Sequence, residues 1–357
     1  MQLKSHWPAA EHRRGCRKRD LHCLSAASLQ SPGSVEEHRA SRLRRDKGQG
    51  CPFFGSFLWA NKEMNRRIKF IRITVIMRSS KFKNLKEKPA IPRSDDLWQT
   101  MIRTGELGRH PVHFFTNTAS TNDLALALSN TGAPDATLVV ADSQSAGRGR
   151  LVDRVWHSPP GTGLYFSLIL RPRLAPYDFP KLTLAAGLAL CKALESHTHC
   201  HPGLKWPNDL YLHGKKCGGI LSETQAVAGA GQTAVVIGIG LNVNTPSESF
   251  SGELLTKATS LLAETGTYHD RGPLLVALLA ELDLVVARLE QGDFFNILAE
   301  WRQRDIHAGL EVSWVNNQGK IITGISLGPD EEGLLHIRDA QGQSHSVISG
   351  DISLAHQ

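Results

Sequence analysis

The chain has 357 residues, 41 % of them hydrophobic, which is enough for more than one globular domain with a buried core. Residues 1–93 hold 22 Lys and Arg against 7 Asp and Glu, a net charge of +15, whereas residues 94–357 hold 19 against 27, a net charge of −8. The overall charge of +7 therefore belongs to the N-terminal segment, and the rest of the chain lacks the basic balance of a nucleic-acid binder.

The N-terminal segment has basic clusters at residues 13–19 and 39–45 and few apolar residues before Phe53. It cannot bury enough surface to offset its chain entropy, so we predict a basic and mostly disordered leader. Residues 70–76 have the pattern of one strand and are too short to cross a membrane. The leader shows no signal peptide and no pair of apolar-periodic helices of a helix-turn-helix, which makes nucleic acid an unlikely partner.

Two polar, glycine-rich loops that contain several Arg and Lys residues follow the leader. The first, residues 144–150, reads Gln-Ser-Ala-Gly-Arg-Gly-Arg, and the second combines Lys-Trp-Pro-Asn-Asp at 205–209 with Lys-Lys-Cys-Gly-Gly at 215–219. Glycines let backbone amides approach an anion, and Arg and Lys neutralise phosphate or carboxylate. One such loop alone is equally typical of a solvated turn. Two together indicate that an acid is activated by a nucleotide.

The loops lie between predicted strands and helices. Strands are predicted at residues 137–141, 164–170, 219–223 and 235–244, and helices at 123–128, 178–196, 272–290 and 294–304. Residues 210–212 and 219–221 predict a hairpin around the His213-Gly214 turn, which would place Asp209 and Lys216 on opposite limbs. Five short strands after residue 308, at 310–315, 320–326, 334–338, 345–348 and 351–354, predict a small SH3-like barrel.

Two common nucleotide-binding patterns do not fit these loops. The dinucleotide fingerprint needs a third glycine where Val152 stands, and Gly238-Ile-Gly240 is followed by Asn242 and Val243. No stretch places glycine before Lys and Ser or Thr as a P-loop does. Neither a Rossmann domain nor a Walker ATPase is predicted.

Five blocks, in the family's order, resemble biotin protein ligases, the enzymes that make biotinyl-5′-adenylate and pass biotin to a lysine of a carrier protein. The blocks are Ser-Thr-Asn at 120–122, residues 144–150, residues 205–209, Lys-x-x-Gly-Ile-Leu at 216–221 and Gly-x-Gly-x-Asn at 238–242. The resemblance runs from about Phe114 to the C-terminus. Five residues separate Arg150 from Trp156, where the family usually has four.

This resemblance implies an α+β fold with a class II aminoacyl-tRNA synthetase/biotin synthetase-like sheet, mixed and mainly antiparallel, with helices and a C-terminal SH3-like β-barrel. We expect a leader at residues 1–93, a biotin ligase catalytic domain at 94–306 and the barrel at 307–357. Free thiols are the simplest account of six cysteines without a CxxC pair, which predicts a cytoplasmic protein.

The resemblance also implies binding residues for biotin and ATP. Biotin is expected to contact Ser120, Thr121, Asn122, Gln144, Gly147, Arg148, Gly149, Arg150, Lys216 and Gly219. ATP is expected to contact Arg148, Arg150, Trp156, Asn208, Lys216 and Asn242. Hydroxyls and amides suit a neutral ureido ring, because it needs paired donors and acceptors. For residues 120–122 the structural alternative is helix capping alone, and for Asn242 it is closure of a turn.

Catalysis is assigned to Lys216, Arg150, Lys205 and Asp209. Both reactants are anions, so Arg148, Arg150 and Lys216 are expected to lower their repulsion. Mg²⁺ prefers oxygen ligands, which makes Asp209 its expected ligand. Lys205 is expected to pair with Asp209 or phosphate, and Asp209 to help deprotonate the carrier amine.

The expected partner is a biotin carboxyl carrier protein domain of a carboxylase, and a homodimer is a further possibility. A lipoate or octanoate ligase and a DNA-binding biotin repressor are the alternatives. The doubled arginine at 148 and 150 and the terminal barrel favour biotin over lipoate, and the leader's pattern speaks against a repressor.

Overall fold

The computed structural model describes residues 105–151, 154–226, 233–315, 320–348, 350 and 352–355. The basic leader and its predicted strand at residues 70–76 lie outside the described residues. All of the described residues fall within one compact unit, Glu87–Gln357, which contains both sheets.

An eight-stranded sheet forms the centre of this unit. Its strands are β1 (Glu106–Leu107), β2 (His110–Thr118), β3 (Leu138–Gln144), β4 (Gly163–Leu170), β5 (Gly203–Lys205), β6 (Asp209–Leu212), β7 (Lys215–Ala226) and β8 (Thr233–Asn242). They lie in the order β1-β2-β3-β4-β8-β7-β6-β5, and only β2 and β3 are parallel. The predicted mixed, mainly antiparallel sheet is thus confirmed, while β1, β2 and β5 were not predicted.

The helices cover the sheet unequally. They are α1 (Thr121–Asn130), α2 (Lys181–Thr198), α3 (Leu254–Lys257), α4 (Leu261–Thr265), α5 (Arg271–Glu290) and α6 (Phe294–Arg302). Leucines of α2 and α5 pack with Phe166 and Leu168 in the large core on one face. On the other face α1 packs through Ala125 over Val139 and Ile169. Both faces of β4 are covered, which explains its unbroken apolar run instead of an alternating one.

Helix α1 begins as the sequence predicts. Ser120 is its N-cap, and Ser120 Oγ accepts a hydrogen bond from the amide of Asp123 at 3.4 Å. Asp123 places a carboxylate in the first turn, where it interacts favourably with the helix dipole. This cap fixes residues 120–122 at the end of β2 and turns them toward the sheet.

A second, antiparallel sheet follows α6. It contains β9 (Glu311–Val315), β10 (Ile321–Pro329), β11 (Leu335–Arg338), β12 (Ser344–Val347) and β13 (Ile352–Leu354) in the order β12-β11-β10-β9-β13. The five predicted strands are confirmed. Trp206 Nε1 donates to the carbonyl of Gly333 at 3.0 Å, and the Arg302 guanidinium donates to the carbonyl of Pro329. These bonds join the C-terminal sheet to the β5–β6 connection and to the end of α6.

Two turns of the C-terminal sheet share the pattern Asp-x-x-Gly-x-x-His. In each, the aspartate Oδ1 accepts from two backbone amides of the turn and its Oδ2 binds the histidine Nε2. The pairs are Asp330 with His336 at 2.6 Å and Asp339 with His345 at 2.7 Å. This repeated arrangement of hydrogen bonds fixes the register of β11 against its neighbours. Among the described helices, none has the length and apolar character needed to span a membrane.

Candidate active site

Two adjoining cavities open beside the glycine-rich loops. The smaller is lined by Ser120, Thr121, Asn122, Gln144, Arg148, Gly149, Arg150, Trp156, Asn208, Lys216, Gly219, Ile220, Leu221, Gly238, Ile239 and Gly240. The larger, of about 1200 Å³, is lined by residues that include Lys205, Asp209 and Asn242. Gly149, Arg150, Trp156, Asn208 and Lys216 line both. The predicted site residues therefore meet at one place, except Gly147, which is buried and lines neither cavity.

At one end of the smaller cavity, Asn122 fits into a gap in the sheet. Its amide lies over Gly238 of β8, where an added Cβ would stand 1.8 Å from Asn122 Oδ1. Ser167 Oγ donates to Asn122 Oδ1 at 2.6 Å. Asn122 Nδ2 donates to the carbonyl of Leu221 at 3.2 Å and to Glu223 Oε2 at 2.8 Å. Both amide hydrogens of Asn122 are thus used within the protein.

Gln144 ties the first loop to the start of α1. Gln144 Oε1 accepts from the amide of Thr121 at 2.9 Å and lies 3.3 Å from Thr121 Oγ1. Its Nε2 donates to Ser158 Oγ at 2.9 Å. Ser167 Oγ also lies 2.9 Å from Thr121 Oγ1, so Thr121, Asn122 and Gln144 belong to one hydrogen-bonded network that holds hydroxyl and amide groups in fixed orientations.

Arg148 extends from the loop across this end of the site. Its Nη2 lies 3.0 Å from Asp123 Oδ1 and makes a close ion pair with Glu223 Oε2. Because two carboxylates neutralise this guanidinium, it supplies less positive charge to an incoming anion than Arg150 or Lys216 can. Its predicted contacts with biotin and ATP stay predictions.

The first loop folds back on itself as a short antiparallel ladder. The amide of Trp156 donates to the carbonyl of Gly147 at 2.8 Å, and the amide of Gly149 donates to the carbonyl of Arg154 at 2.7 Å. Trp156 is thus paired with Gly147 in this chain, in which five residues separate it from Arg150.

Trp156 packs onto strands β7 and β8 at the junction of the two cavities. A Cβ on Gly240 would stand 2.4 Å from the indole Nε1, and one on Gly219 would contact the ring at 3.4 Å. The indole Nε1 is buried without a hydrogen-bond partner among the described residues. Lys216 Nζ lies 5.6 Å from the centroid of the ring, within cation–π range. Gly240 is therefore needed for space and not for an unusual backbone angle, whereas a Cβ on Gly219 would make an ordinary van der Waals contact with the ring.

Lys216 and Asp209 lie on opposite limbs of the β6–β7 hairpin, as the sequence predicts, and form an ion pair across it that was not predicted from the sequence. Lys216 Nζ lies 2.6 Å from Asp209 Oδ1, and both side chains are partly exposed to the cavities. The strand register is irregular between Leu210 and Tyr211, so Asp209 pairs with Gly219 while Tyr211 pairs with Lys216. Asp209 shares a face of β6 with Tyr211, the cross-strand partner of Lys216, so the carboxylate and the ammonium lie on the same side.

Arg150 joins the two sheets. Its Nε donates to Asn208 Oδ1 at 3.2 Å, and its Nη2 donates to the carbonyl of Gly350 at 2.6 Å. Asn208 Nδ2 in turn donates to the carbonyl of Ile220 at 2.8 Å. The loop arginine is thus oriented by the second glycine-rich loop and by the C-terminal sheet together.

Asn242 and Lys205 line the larger cavity. Asn242 Nδ2 donates to the carbonyl of Thr259 at 3.0 Å, so its amide positions the segment after α3. That segment also runs beside Lys216, whose carbonyl accepts from the amide of Thr259 at 2.9 Å. Thr259 therefore connects the end of β8 with the lysine.

Sequence reasoning missed three residues of this site, Ser167, Glu223 and Gly238, and the exposed Asp123, which pairs with Arg148 and lines neither cavity. Two of them carry a readable signal, because a lone serine or glycine in an otherwise apolar strand often marks a place where another group approaches closely. The carboxylates carry none, since their partner Arg148 is 75 residues from Glu223 along the chain.

Comparison with known proteins agrees with this geometry. Residues 114–242 match the model of the biotin/lipoate A/B protein ligase family. The chain is 37 % identical over 253 residues to the bifunctional ligase/repressor BirA of Bacillus spizizenii, covering 71 % of this chain and 76 % of that protein. It is 34 % identical over 252 residues to the biotin–[acetyl-CoA-carboxylase] ligase of Mycobacterium tuberculosis, covering 69 % and 89 %.

Among solved structures, the biotin protein ligase of Aquifex aeolicus in complex with biotin and ATP superimposes with a TM-score of 0.59 at 30 % identity. The match covers 68 % of this chain and 97 % of that one. The fold and the site therefore define a ligase of the biotin/lipoate class. Within that class, the chain belongs to the biotin protein ligase family.

Proposed function

We propose that this protein is an ATP-dependent biotin protein ligase. It activates biotin to biotinyl-5′-AMP, releases pyrophosphate, and transfers biotin to a lysine of a biotin carboxyl carrier protein domain of a carboxylase. The observation that carries the proposal is the position of Lys216 on the wall shared by both cavities. A cation there faces the place where an acid bound in the smaller cavity meets a nucleotide bound in the larger one.

In the first step a biotin carboxylate oxygen attacks the α-phosphorus of ATP, and the bond from that phosphorus to the bridging oxygen of pyrophosphate breaks. The main barrier is the approach of two anions, which fixed cations lower. Lys216 and Arg150 are the two cations we assign to this step. Each is oriented before substrate binds, Lys216 by Asp209 and Arg150 by Asn208 and Gly350. Lys205, on the wall of the larger cavity, is assigned to the phosphates.

In the second step the amine of the carrier lysine attacks the carbonyl carbon of the mixed anhydride, and AMP leaves. We assign Asp209 to help deprotonate that amine, because its carboxylate is at the cavity wall beside Lys216. The adenine is assigned to Trp156 and Asn242, and the ureido ring to the network of residues 120–122, Gln144 and Arg148.

Mg²⁺ is the expected companion of ATP. The described residues include no cluster of three or more His, Cys, Asp or Glu side chains able to hold a metal ion. A single carboxylate fits Mg²⁺ only where phosphates and water complete its coordination, and we propose Asp209 as that carboxylate. Bound there, Mg²⁺ would neutralise phosphate charge.

Finer features of the proposal follow from family membership. We propose that the larger sheet with its helices is of the class II aminoacyl-tRNA synthetase-like kind and that the C-terminal sheet is an SH3-like barrel. We propose on the same ground that the chain divides into three parts, after residues 93 and 306. We likewise propose a cytoplasmic location and a homodimer. The negative balance of residues 94–357 supports a protein partner over nucleic acid.

The test is to incubate the protein with ATP, labelled biotin and a carrier domain, and to repeat the reaction with labelled lipoate and octanoate. We expect label on the carrier with biotin alone. A carrier whose target lysine is replaced by arginine is the matched control and should remain unlabelled. Transfer of lipoate or octanoate at a comparable or higher rate would favour the lipoate branch of the family and overturn the proposal.

A further inference from the structure

Glu223 lies behind the lining of the smaller cavity. It is on β7, on the same face as Gly219 and Leu221, opposite Val236 of β8. Its side chain is 26 % exposed, and it is absent from the residues that line either cavity. Any effect of Glu223 on a bound molecule must therefore pass through a neighbour.

Two cavity-lining residues share one oxygen of this carboxylate. Glu223 Oε2 accepts from Asn122 Nδ2 at 2.8 Å and makes a close ion pair with Arg148 Nη2. Asn122 comes from the start of α1, Arg148 from the glycine-rich loop, and Glu223 from the sheet. Three elements that are distant in the sequence are thereby joined at one atom.

The second partner of Arg148 is weaker. Asp123 Oδ1 lies 3.0 Å from Arg148 Nη2, but the Asp123 side chain is 53 % exposed. Exposed ion pairs are screened by water and contribute little, whereas a partly buried carboxylate that also satisfies an amide contributes more. Of the two carboxylates, Glu223 is the one that fixes the position of Arg148.

We infer that Glu223 is a positioning residue for biotin binding, an inference that rests on the proposed function. It holds the guanidinium of Arg148 and the carboxamide of Asn122, and so shapes the end of the cavity assigned to the ureido ring. The reacting carboxylate belongs near Lys216, which is seven residues away on the same strand, roughly 20 Å between Cα atoms. Loss of Glu223 should therefore weaken biotin binding and leave the chemical step almost unchanged.

The experiment compares Glu223→Gln with Asp123→Asn, which removes the exposed partner of the same arginine. Biotin-dependent ATP–pyrophosphate exchange gives KM for biotin and kcat, and calorimetry gives Kd for biotin. We expect E223Q to raise KM and Kd for biotin about 10-fold or more, with kcat and KM for ATP within about 2-fold. D123N should change the biotin constants less than about 3-fold. The double variant of E223Q with Arg148→Gln should bind biotin no more weakly than the weaker-binding of the two single variants. This is expected because both substitutions remove the same ion pair.

Unchanged biotin KM and Kd in a folded E223Q protein would overturn the inference, as would an equal fall in kcat and in biotin affinity. If E223Q does not fold, Glu223→Asp serves instead, since it keeps the charge but shortens the reach to both partners. A biotin Kd for E223D within about 2-fold of the wild type would then overturn it. Failure of the proposed function looks different, because the wild-type protein itself would show no biotin-dependent exchange.

Discussion

Lys216 Nζ and Asp209 Oδ1 are 2.6 Å apart across the β6–β7 hairpin, at the junction of the two cavities. The carboxylate holds the ammonium before any substrate is bound, so little reorganisation is needed when charge develops as the biotin carboxylate attacks the α-phosphorus of ATP. The same carboxylate is assigned to help deprotonate the amine of the carrier lysine in the second step. One ion pair therefore takes part in both proposed steps.

We expect Lys216→Ala to abolish adenylate formation and leave the fold intact. Removal of a preorganised cation typically costs about 2–4 kcal/mol of transition-state stabilisation, which corresponds to a loss of about 30- to 1000-fold in rate. Pyrophosphate exchange measures the rate. Lys215→Ala is the matched control, because Lys215 is the exposed neighbour on the same strand. Near-normal pyrophosphate release by a folded K216A protein would reject this role.

The arrangement of Lys216 and Asp209 is a part of the site that the sequence predicts well. A short hairpin with a His-Gly turn restricts which residues can face each other, so local spacing is sufficient. The Arg148–Glu223 and Arg150–Gly350 contacts are different, because they join residues 75 and 200 positions apart and depend on the packing of whole sheets. Most strands could be predicted from their apolar runs. Strands β1 and β5 have two and three residues, which is too short to show a periodic apolar pattern.

Gly238→Ala should damage biotin binding specifically. The new methyl would stand 1.8 Å from Asn122 Oδ1 and would push the amide out of its gap, breaking the bonds to Ser167 and Glu223. We expect KM for biotin to rise about 10-fold or more in pyrophosphate exchange. Gly187→Ala in α2 is the control, since it adds a buried methyl on the other face of the sheet, where its nearest neighbour is a Leu204 methyl group at 3.2 Å. A G238A protein with the biotin affinity of the wild type would show that Asn122 is not needed in this position.

Arg150→Lys tests the link between the loop and the C-terminal sheet. Lysine keeps the charge, but one ammonium cannot reproduce the forked contacts to Asn208 and Gly350. We expect kcat/KM for ATP to fall about 10- to 100-fold, with a smaller change for biotin. Arg173→Lys, at an exposed arginine that lines neither cavity, should be near wild type. A lower melting temperature without any change in ATP kinetics would show that Arg150 has a structural role only.

Asp305 should make stability depend on pH. Burial raises the pKa of this carboxyl from 3.8 to about 6, although the amides of His307 and Ala308 oppose the shift. Its Oδ2 is buried without a hydrogen-bond partner in the described part of the chain. Because the folded state prefers the protonated form, the stabilisation is complete below pH 3.8 and is lost as pH rises through about 6. The loss is about 3 kcal/mol.

Asp305→Asn should therefore raise the melting temperature at pH 8 and change it little at about pH 3.5, below the unfolded pKa of 3.8. Asparagine is neutral at both values and keeps an oxygen for the amide of His307, which Asp305 Oδ1 accepts at 2.9 Å. Asp339→Asn is the control of opposite sign, because the hydrogen bond from His345 lowers the pKa of Asp339. Equal changes in melting temperature at both pH values would contradict the assignment.

The last prediction concerns the basic leader. Residues 94–357 contain every matched block and carry a net charge of −8, whereas residues 1–93 carry +15 and little core-forming pattern. Two such parts should be energetically independent. A chain beginning at Asp95 should keep the melting temperature and biotinylation rate of the full-length protein and lose any salt-dependent affinity for DNA in a gel-shift assay. If this truncation instead unfolds or inactivates the enzyme, part of the leader must pack on the catalytic domain. Residues 70–76 are then the expected segment, because they alone have a strand pattern that could extend the sheet at an edge.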